Sequence, residues 1–381
     1  MSVLDLTDEQ SAFVEAIRDF AERECGTREK RAALTNGDTT HSSEVAKQMA
    51  DLGWLGMAIP EEYGGAGGGA LDMVLLLEEI GRGQIPVSAF SVSMITAGAY
   101  QRYGSEEQKQ EILGGIANGA VEAIAMSEPE AGSDVGNLQC FAKRENGGYV
   151  INGQKTWISA AQDAAHILLV ARTSREGSKH EGVTMFNVPT GTDGLEINGI
   201  ETMAGPDEVN DVFFTDLELP ESAVVGEEGK AWMQLMTGLN HERLVTGASF
   251  LGIAQRAFDD TLAYVKERKQ FDRPIGSFQT IRHRLADLAT EIECCRLLVY
   301  DVARRTDANP EVTLPREASM VKMKVTETAK KMALEGQQMM GGAGYATEYD
   351  MERYVRATVV STIFAGTSEI QREIISKTYG L

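Results

Sequence analysis

The sequence predicts an α+β protein: an N-terminal α-helical domain (1–121), a middle antiparallel β-barrel or sandwich domain (122–230) and a C-terminal four-helix bundle (231–381). Three observations lead there. Apolar residues recur at helical spacing up to about Ala120. From Val121, short β-branched segments follow one another, separated by Gly, Asp and Pro. At about Ala231 the helical period returns and lasts to the end.

In the first domain, Asp5–Cys25 carries Phe13, Ala16, Ile17 and Phe20 on one face, and Thr7 with Gln10 resembles a capping box. Ser43–Leu55, Leu71–Gly81 and Val87–Tyr100 read as further helices. Between them lies Gly64–Gly69 (GGAGGG), which follows helical sequence and IPEEY rather than a strand. That context predicts a flexible helix connection, not a nucleotide loop. In the middle domain, apolar runs flank Asn152-Gly153 within Tyr149–Ser159, which predicts a hairpin turning there. His166–Ala171, Val183–Val188, Leu195–Ile200 and Val212–Leu219 read as strands, and 231–268, 278–306, 315–340 and 350–364 as long helices.

Composition narrows the function. With 57 acids against 36 bases, the formal charge of −21 favours solubility and argues against a general nucleic-acid surface. Cys25, Cys140, Cys294 and Cys295 lack CxxC spacing, so a reduced, cytoplasmic protein is expected. The stretch MSVLDLTDEQ has neither the apolar core of a secretory signal nor the arginines of a transit peptide, and no apolar run approaches a membrane span. His41, His166, His180, His241 and His283 are scattered without ligand spacing, so no metal site is expected. Gly229-Lys230 is followed by Ala231, so there is no Walker A loop either.

Four stretches can carry chemistry. The closing one, Ile363–Arg372 (IFAGTSEIQR), comes after a glycine-rich turn at Gly341, Gly342 and Gly344. Its Ala-Gly-Thr-Ser break suits close backbone approach to a large flat ligand. Ala125–Leu138 (AMSEPEAGSDVGNL) crowds Ser127, Glu128, Ser133 and Asp134 around small residues at the helix-to-sheet junction, where a ligand loop and a plain surface loop are equally good readings. Trp157, close to Ser159, reads as core more readily than as a ligand platform. On the helix after Ala231, Leu235, Leu239, Glu242, Thr246, Ser249 and Ile253 fall on one side, which sets a carboxylate in a largely apolar stripe. Burial there would raise its pKa toward the range of a general base, while Arg243 points away by about 100°. A polar HER triplet at a helix end is the alternative.

Together these motifs resemble the acyl-CoA dehydrogenase family over essentially the whole chain. AMSEPEAGSDVGNL, NGQKTWIS, ERKQFDRPIGSFQ, QMMGGAGYATEYDMERYVR and AGTSEIQR resemble its signatures, in order and at the right separations. The resemblance implies FAD bound without a Rossmann motif. Ser127 and Ser133 would hydrogen-bond the flavin and pyrophosphate, with Ser133 also near the thioester. Trp157 would pack on the isoalloxazine ring, and Ser159 would bond near N5. Arg268 and Phe271, helped by Gln279, Gln338 and Gly342, would hold the ADP half of FAD on a neighbouring subunit, which implies a homotetramer. Thr367 and Glu369 would complete the cofactor contacts. Asn240, Arg243 and Gly366 would contact the acyl-CoA.

The implied reaction is α,β-dehydrogenation of an acyl-CoA, with electrons passing to an electron-transfer flavoprotein. Many members carry the catalytic base where this chain has Ala365, which has no titratable group. Glu242-Arg243 instead matches the branch resembling isovaleryl-CoA and long-chain enzymes, whose base sits on this helix. Met203-Ala204-Gly205-Pro206 also departs from the more usual Met-Gly-x-Arg. Competing readings are a same-fold flavin monooxygenase, an acyl-thioester reductase, and a non-catalytic subunit that only binds FAD or acyl-CoA.

Overall fold

The computed structural model describes residues 3–35, 40–310 and 312–381, with all their side chains except those of Asp207, Thr237 and Leu239. The chain forms two compact units. A helical unit comprises Met1–Ala33, Gly69–Ile85 and Arg243–Leu381, and a sheet unit comprises Leu34–Gly68 and Pro86–Glu242. The α–β–α order of the sequence holds. The N-terminal helices are shared out, however: α1 (Asp8–Cys25) and α4 (Ala70–Gly83) join the helical unit, and α3 (Ser43–Asp51), α5 (Ser88–Tyr103) and α6 (Glu106–Ala117) the sheet unit. The short α2 (Arg28–Leu34) comes directly after α1.

In the helical unit, α1 begins with the expected capping box: Gln10 N–H donates to Thr7 Oγ1 (3.1 Å) and Thr7 N–H to Gln10 Oε1 (3.2 Å). The first turn of α4 is capped from a distance, because the Asp307 carboxylate accepts from Ala70 N (2.6 Å) and Leu71 N (3.1 Å). Asp307 lies at the end of α8 (Gln279–Ala308). The long α7 (Ala231–Glu267) crosses α4 at backbone-to-backbone distance: a Cβ on Gly252 would lie 1.9 Å from Glu78 O, and one on Gly81 2.3 Å from Ser249 O. A Cβ on Gly247 would likewise meet Val321 of α9 (Pro315–Met340) at 2.3 Å. These glycines set the depth and register of α7. Around the crossing, buried Glu78 accepts from Arg296 (3.0 Å) and Tyr300 (2.8 Å); burial raises its carboxyl pKa despite the arginine. Helices α10 (Gly342–Tyr345), α11 (Met351–Ser361) and α12 (Ser368–Lys377) pack on α9.

In the sheet unit, β1 (Val121–Ala125), β2 (Phe141–Glu145), β3 (Gly148–Ser159), β4 (Ala164–Arg172), β5 (Val183–Pro189), β6 (Leu195–Thr202), β7 (Gly205–Pro220) and β8 (Val224–Val225) form one sheet in the order β6-β7-β3-β2-β4-β5-β8. Pairing is mainly antiparallel, but β1 runs parallel to β4, and a single parallel bridge joins β2 to β4. Ala123, Ala142, Ile151, Ile167, Phe186 and Val212, from six different strands, share one buried core.

Two local expectations are corrected. The chain does not turn at Asn152-Gly153; β3 runs straight through it with a bulge at Gly153, and Asn152 instead bonds Asp216 of β7 on both its amide atoms. The turn is Asn146-Gly147, whose φ values of 52° and 80° suit a two-residue type I′ loop between β2 and β3. Nor is the 64–69 run a loose connection. Gly65, Ala66, Gly67 and Gly68 all donate to carbonyls of residues 56–60, and a Cβ on Gly65 would lie 2.0 Å from Ile59 O. Among the described residues, no helix is long and apolar enough to cross a membrane.

Candidate active site

In the sheet unit the 125–138 loop is held against β3 by a buried ion pair. Lys155, fully buried, donates to Glu128 (2.7 Å) and to Met126 O (2.9 Å). Glu128 also accepts from Gln139 N (2.5 Å) and Cys140 N (2.9 Å), and Thr156 N–H donates to Ser127 O (3.0 Å). Burial lowers the pKa of Lys155, and the nearby thiol and carboxylate oppose the shift. Arg172 ties down the far end of the loop, donating to Gly136 O (2.9 Å) and Leu138 O (3.2 Å). Half-buried Ser127 is thereby fixed beside β3, and exposed Ser133 lies further along the same loop.

A register shift between Lys155 and Ile158 then turns the strand. Trp157 adopts a left-handed conformation (φ 61°) and is 61% exposed, so it is not core. Ser159, two residues on, is half-buried. A Cβ on Gly132 would meet nothing within 4 Å. An exposed indole face, flanking hydroxyls and an open small-residue turn fit a planar ring with a polar edge.

Still in the sheet unit, the first turns of α7 carry Asn240, His241 and Glu242. Glu242 is half-buried, with Leu235 buried two turns before it and Thr246 buried one turn after; the Leu239 side chain lies outside the described residues. His241 lies beside α5, its ring 3.7 Å from where a Cβ on Gly98 would stand, and desolvation lowers its pKa to about 4. Met203 is 59% exposed, at the turn between β6 and β7.

In the helical unit, Arg243 is buried. Arg268 is exposed just before the hairpin of β9 (Lys269–Gln270) and β10 (Arg273–Pro274). At its tip Phe271 and Asp272 have φ values of 52° and 60°, and Phe271 is 87% exposed. Gln279 opens α8, Gln338 lies in the last turn of α9 and Gly342 opens α10; all three are exposed. Between α11 and α12, Ala365 and Gly366 are left-handed (φ 53° and 78°). Thr367 caps α12, accepting from Ile370 N (3.2 Å). Glu369 is exposed, and hydrogen bonds from its own backbone N–H and from Thr367 lower its carboxyl pKa.

Three family models match the chain: the N-terminal, middle and C-terminal domains of acyl-CoA dehydrogenase, over residues 7–120, 123–217 and 229–380. The chain belongs to the acyl-CoA dehydrogenase family. This family member is 36% identical to a probable acyl-CoA dehydrogenase, YngJ, of Bacillus subtilis, over 98% of both chains. It is also 36% identical to the mitochondrial isovaleryl-CoA dehydrogenase of Solanum tuberosum, over 97% of this chain and 90% of that one. An acryloyl-CoA reductase (NADH) of Anaerotignum propionicum is 34% identical over 98% and 94%. Among solved structures, an acyl-CoA dehydrogenase from Geobacillus kaustophilus superposes with a TM-score of 0.92 at 32% identity, covering 99% of this chain and 100% of that one. A glutaryl-CoA dehydrogenase from Mycobacterium smegmatis in complex with FADH2 does so at 0.88 and 29% identity, covering 98% and 95%.

Spacing alone singles out neither Lys155 nor Lys322. Lys322 lies on the buried stripe Ala318, Lys322, Val325 and Ala329 of α9, and a lysine at an apolar helical position is the signal that marks it.

Proposed function

We propose that this acyl-CoA dehydrogenase family oxidoreductase converts an acyl-CoA to its 2-enoyl-CoA, with Glu242 as the base. FAD is the cofactor, and it supplies the two-electron sink that accepts the β-hydride at N5. The observation that carries the reading is the placement of carboxylates. Residue 365 is alanine, in a left-handed turn, while Glu242 is half-buried on α7 among buried neighbours. The Glu242 carboxylate takes the proton from the α-carbon, and the pair of electrons left behind forms the new double bond as hydride leaves the β-carbon. Asn240, Arg243, Ser133 and Gly366 orient the thioester. Ser127, Ser133 and Ser159 bond the flavin edge and pyrophosphate, Trp157 covers the ring, and Thr367 and Glu369 hold the rest of the cofactor.

The exposed Phe271, with Arg268, Gln279, Gln338 and Gly342, is assigned to the FAD of a neighbouring subunit in a homotetramer. The Phe271 ring, 87% exposed at a hairpin tip, is accessible for such a contact. An electron-transfer flavoprotein is the assigned acceptor. Similarity to an acryloyl-CoA reductase supports a second reading, in which the same residues run the reaction toward the saturated thioester.

Anaerobic titration of the FAD-loaded protein with a panel of acyl-CoAs tests the first reading. Flavin absorbance is expected to bleach with at least one thioester, and Glu242→Gln to slow bleaching by about 100- to 10,000-fold with FAD retained. Unchanged bleaching in Glu242→Gln overturns the base assignment. Oxidation of reduced flavin by an enoyl-CoA, without bleaching by its saturated partner, favours the reductase.

A further inference from the structure

Fully buried Lys322 of α9 has no part in the chemistry above, yet it ends on the turn that contains Ala365. Its Nζ donates to Gly366 O at 2.8 Å. Buried Gln371 of α12 reaches the same place, with Nε2 donating to Ala365 O (3.1 Å) and Gly366 O (3.0 Å). Two consecutive carbonyls therefore point toward one pair of side chains. In a planar trans peptide the N–H lies opposite its own C=O. The N–H groups of Gly366 and Thr367, which share those two peptides, accordingly point the other way, away from Lys322 and Gln371. Successive N–H groups on one side of a left-handed turn make a small concavity for an electron-rich oxygen.

We propose that Lys322 is a positioning residue. With Gln371 it holds the 365–367 turn so that the Gly366 and Thr367 N–H groups are presented together to an electron-rich oxygen of the bound flavin or thioester. The amine on Gly366 O also polarises that peptide, which strengthens the Thr367 N–H as a donor. The side chain at 365 adds no donor of its own, since alanine carries no polar group. Two buried hydroxyls close to these residues in the chain, Ser319 Oγ one turn before Lys322 and Ser368 Oγ just after the turn, have no hydrogen-bond partner among the described residues. The inference rests on the dehydrogenase reading for the identity of the site, but its test does not.

Thr367 has φ −56° and ψ 160°, which proline can adopt, so Thr367→Pro removes one N–H at a position whose own backbone angles suit proline. Thr367→Ala, which loses the side-chain cap alone, is its reference. Each variant, with Lys322→Met and Lys322→Arg, is reconstituted with FAD to measure cofactor affinity, and then mixed anaerobically with an acyl-CoA that reduces the wild type. Thr367→Pro is expected to fall at least tenfold below Thr367→Ala in one of the two measurements. Lys322→Met is expected to fall in the same one, with Lys322→Arg recovering most of the loss. A loss confined to FAD affinity assigns the oxygen to the cofactor, and one confined to the reduction rate assigns it to the thioester. If Thr367→Pro equals Thr367→Ala in both, the proposal is overturned, whether or not Lys322→Met folds. A wild type that no acyl-CoA reduces overturns the dehydrogenase reading instead, and FAD affinity alone then decides the role of Lys322.

Discussion

Lys155 Nζ lies 2.7 Å from the Glu128 carboxylate, with both side chains almost wholly removed from water. The pair joins β3 to the loop that carries Ser127. Removing one partner leaves a buried charge without its counter-charge, so Lys155→Met should cost about 3–5 kcal/mol. Adding Glu128→Gln should recover part of that loss. Urea midpoints measure both, and a cost under about 1 kcal/mol for Lys155→Met would show the pair to be dispensable.

The crossing of α4 and α7 makes a steric prediction. Gly252→Ala would drive a methyl to 1.9 Å from Glu78 O, and backbone cannot step aside as a flexible side chain can. A loss of about 3 kcal/mol or more, or no soluble protein, is expected. Gly191→Ala, with nothing within 4 Å of the new methyl, should change stability by less than about 0.5 kcal/mol. Equal midpoints for the two variants would refute the close approach.

Asp307 caps α4 from α8, and its loss leaves two N–H groups at the helix start to solvent. Asp307→Ala should lower stability by about 1 kcal/mol, a modest figure because the carboxylate is exposed. Asp307→Asn should retain part of it. Thermal unfolding midpoints compare the two.

His166 sits between Glu122 on Nδ1 (3.2 Å) and Glu111 on Nε2 (3.3 Å). Burial lowers its pKa, but the hydrogen bond and charge of Glu122, with Glu111, outweigh that and raise it overall. A raised histidine pKa means that the folded state holds the proton more tightly than the unfolded chain. Its stabilisation is therefore complete below the unfolded value of about 6.5 and disappears as pH rises through the folded value. His166→Gln should destabilise by about 2 kcal/mol at pH 5.5 and by clearly less at pH 9. A difference that grows with pH would contradict the assignment.

Ala365 carries no titratable group, so a second carboxylate can be tested there. In a Glu242→Gln background, Ala365→Glu should restore at least tenfold of the lost flavin bleaching by acyl-CoA. Restoration requires that both positions reach the same α-carbon. No recovery, with FAD still bound, would show that the left-handed turn does not present a side chain at 365 to the substrate.

Much of this molecule is legible from spacing. The helices at 279–308 and 315–340 begin and end within two residues of where periodicity places them, because the 3.6-residue period is a local property of the chain. The capping box at Thr7 and Gln10 is equally local. The hairpin was not. Asn146-Gly147 and Asn152-Gly153 carry the same turn signal, and only the first has both residues in the left-handed region. The second is drawn straight by pairing with β7, some sixty residues away in the chain. Trp157 shows the same limit: tryptophan within a strand reads as core until a bulge turns it outward.

The sequence by itself determined the order of helical and sheet regions, the carboxylate at 242 and the absence of any titratable group at 365, since residue identity and helical spacing are enough for each. Tertiary structure decided which lysines are buried, which glycines admit a neighbouring backbone and how the 365–367 turn is held. Lys155 finds its partner 27 residues away and Lys322 its carbonyl 44 residues away. No local period encodes contacts at such separations; they exist only once the elements have packed.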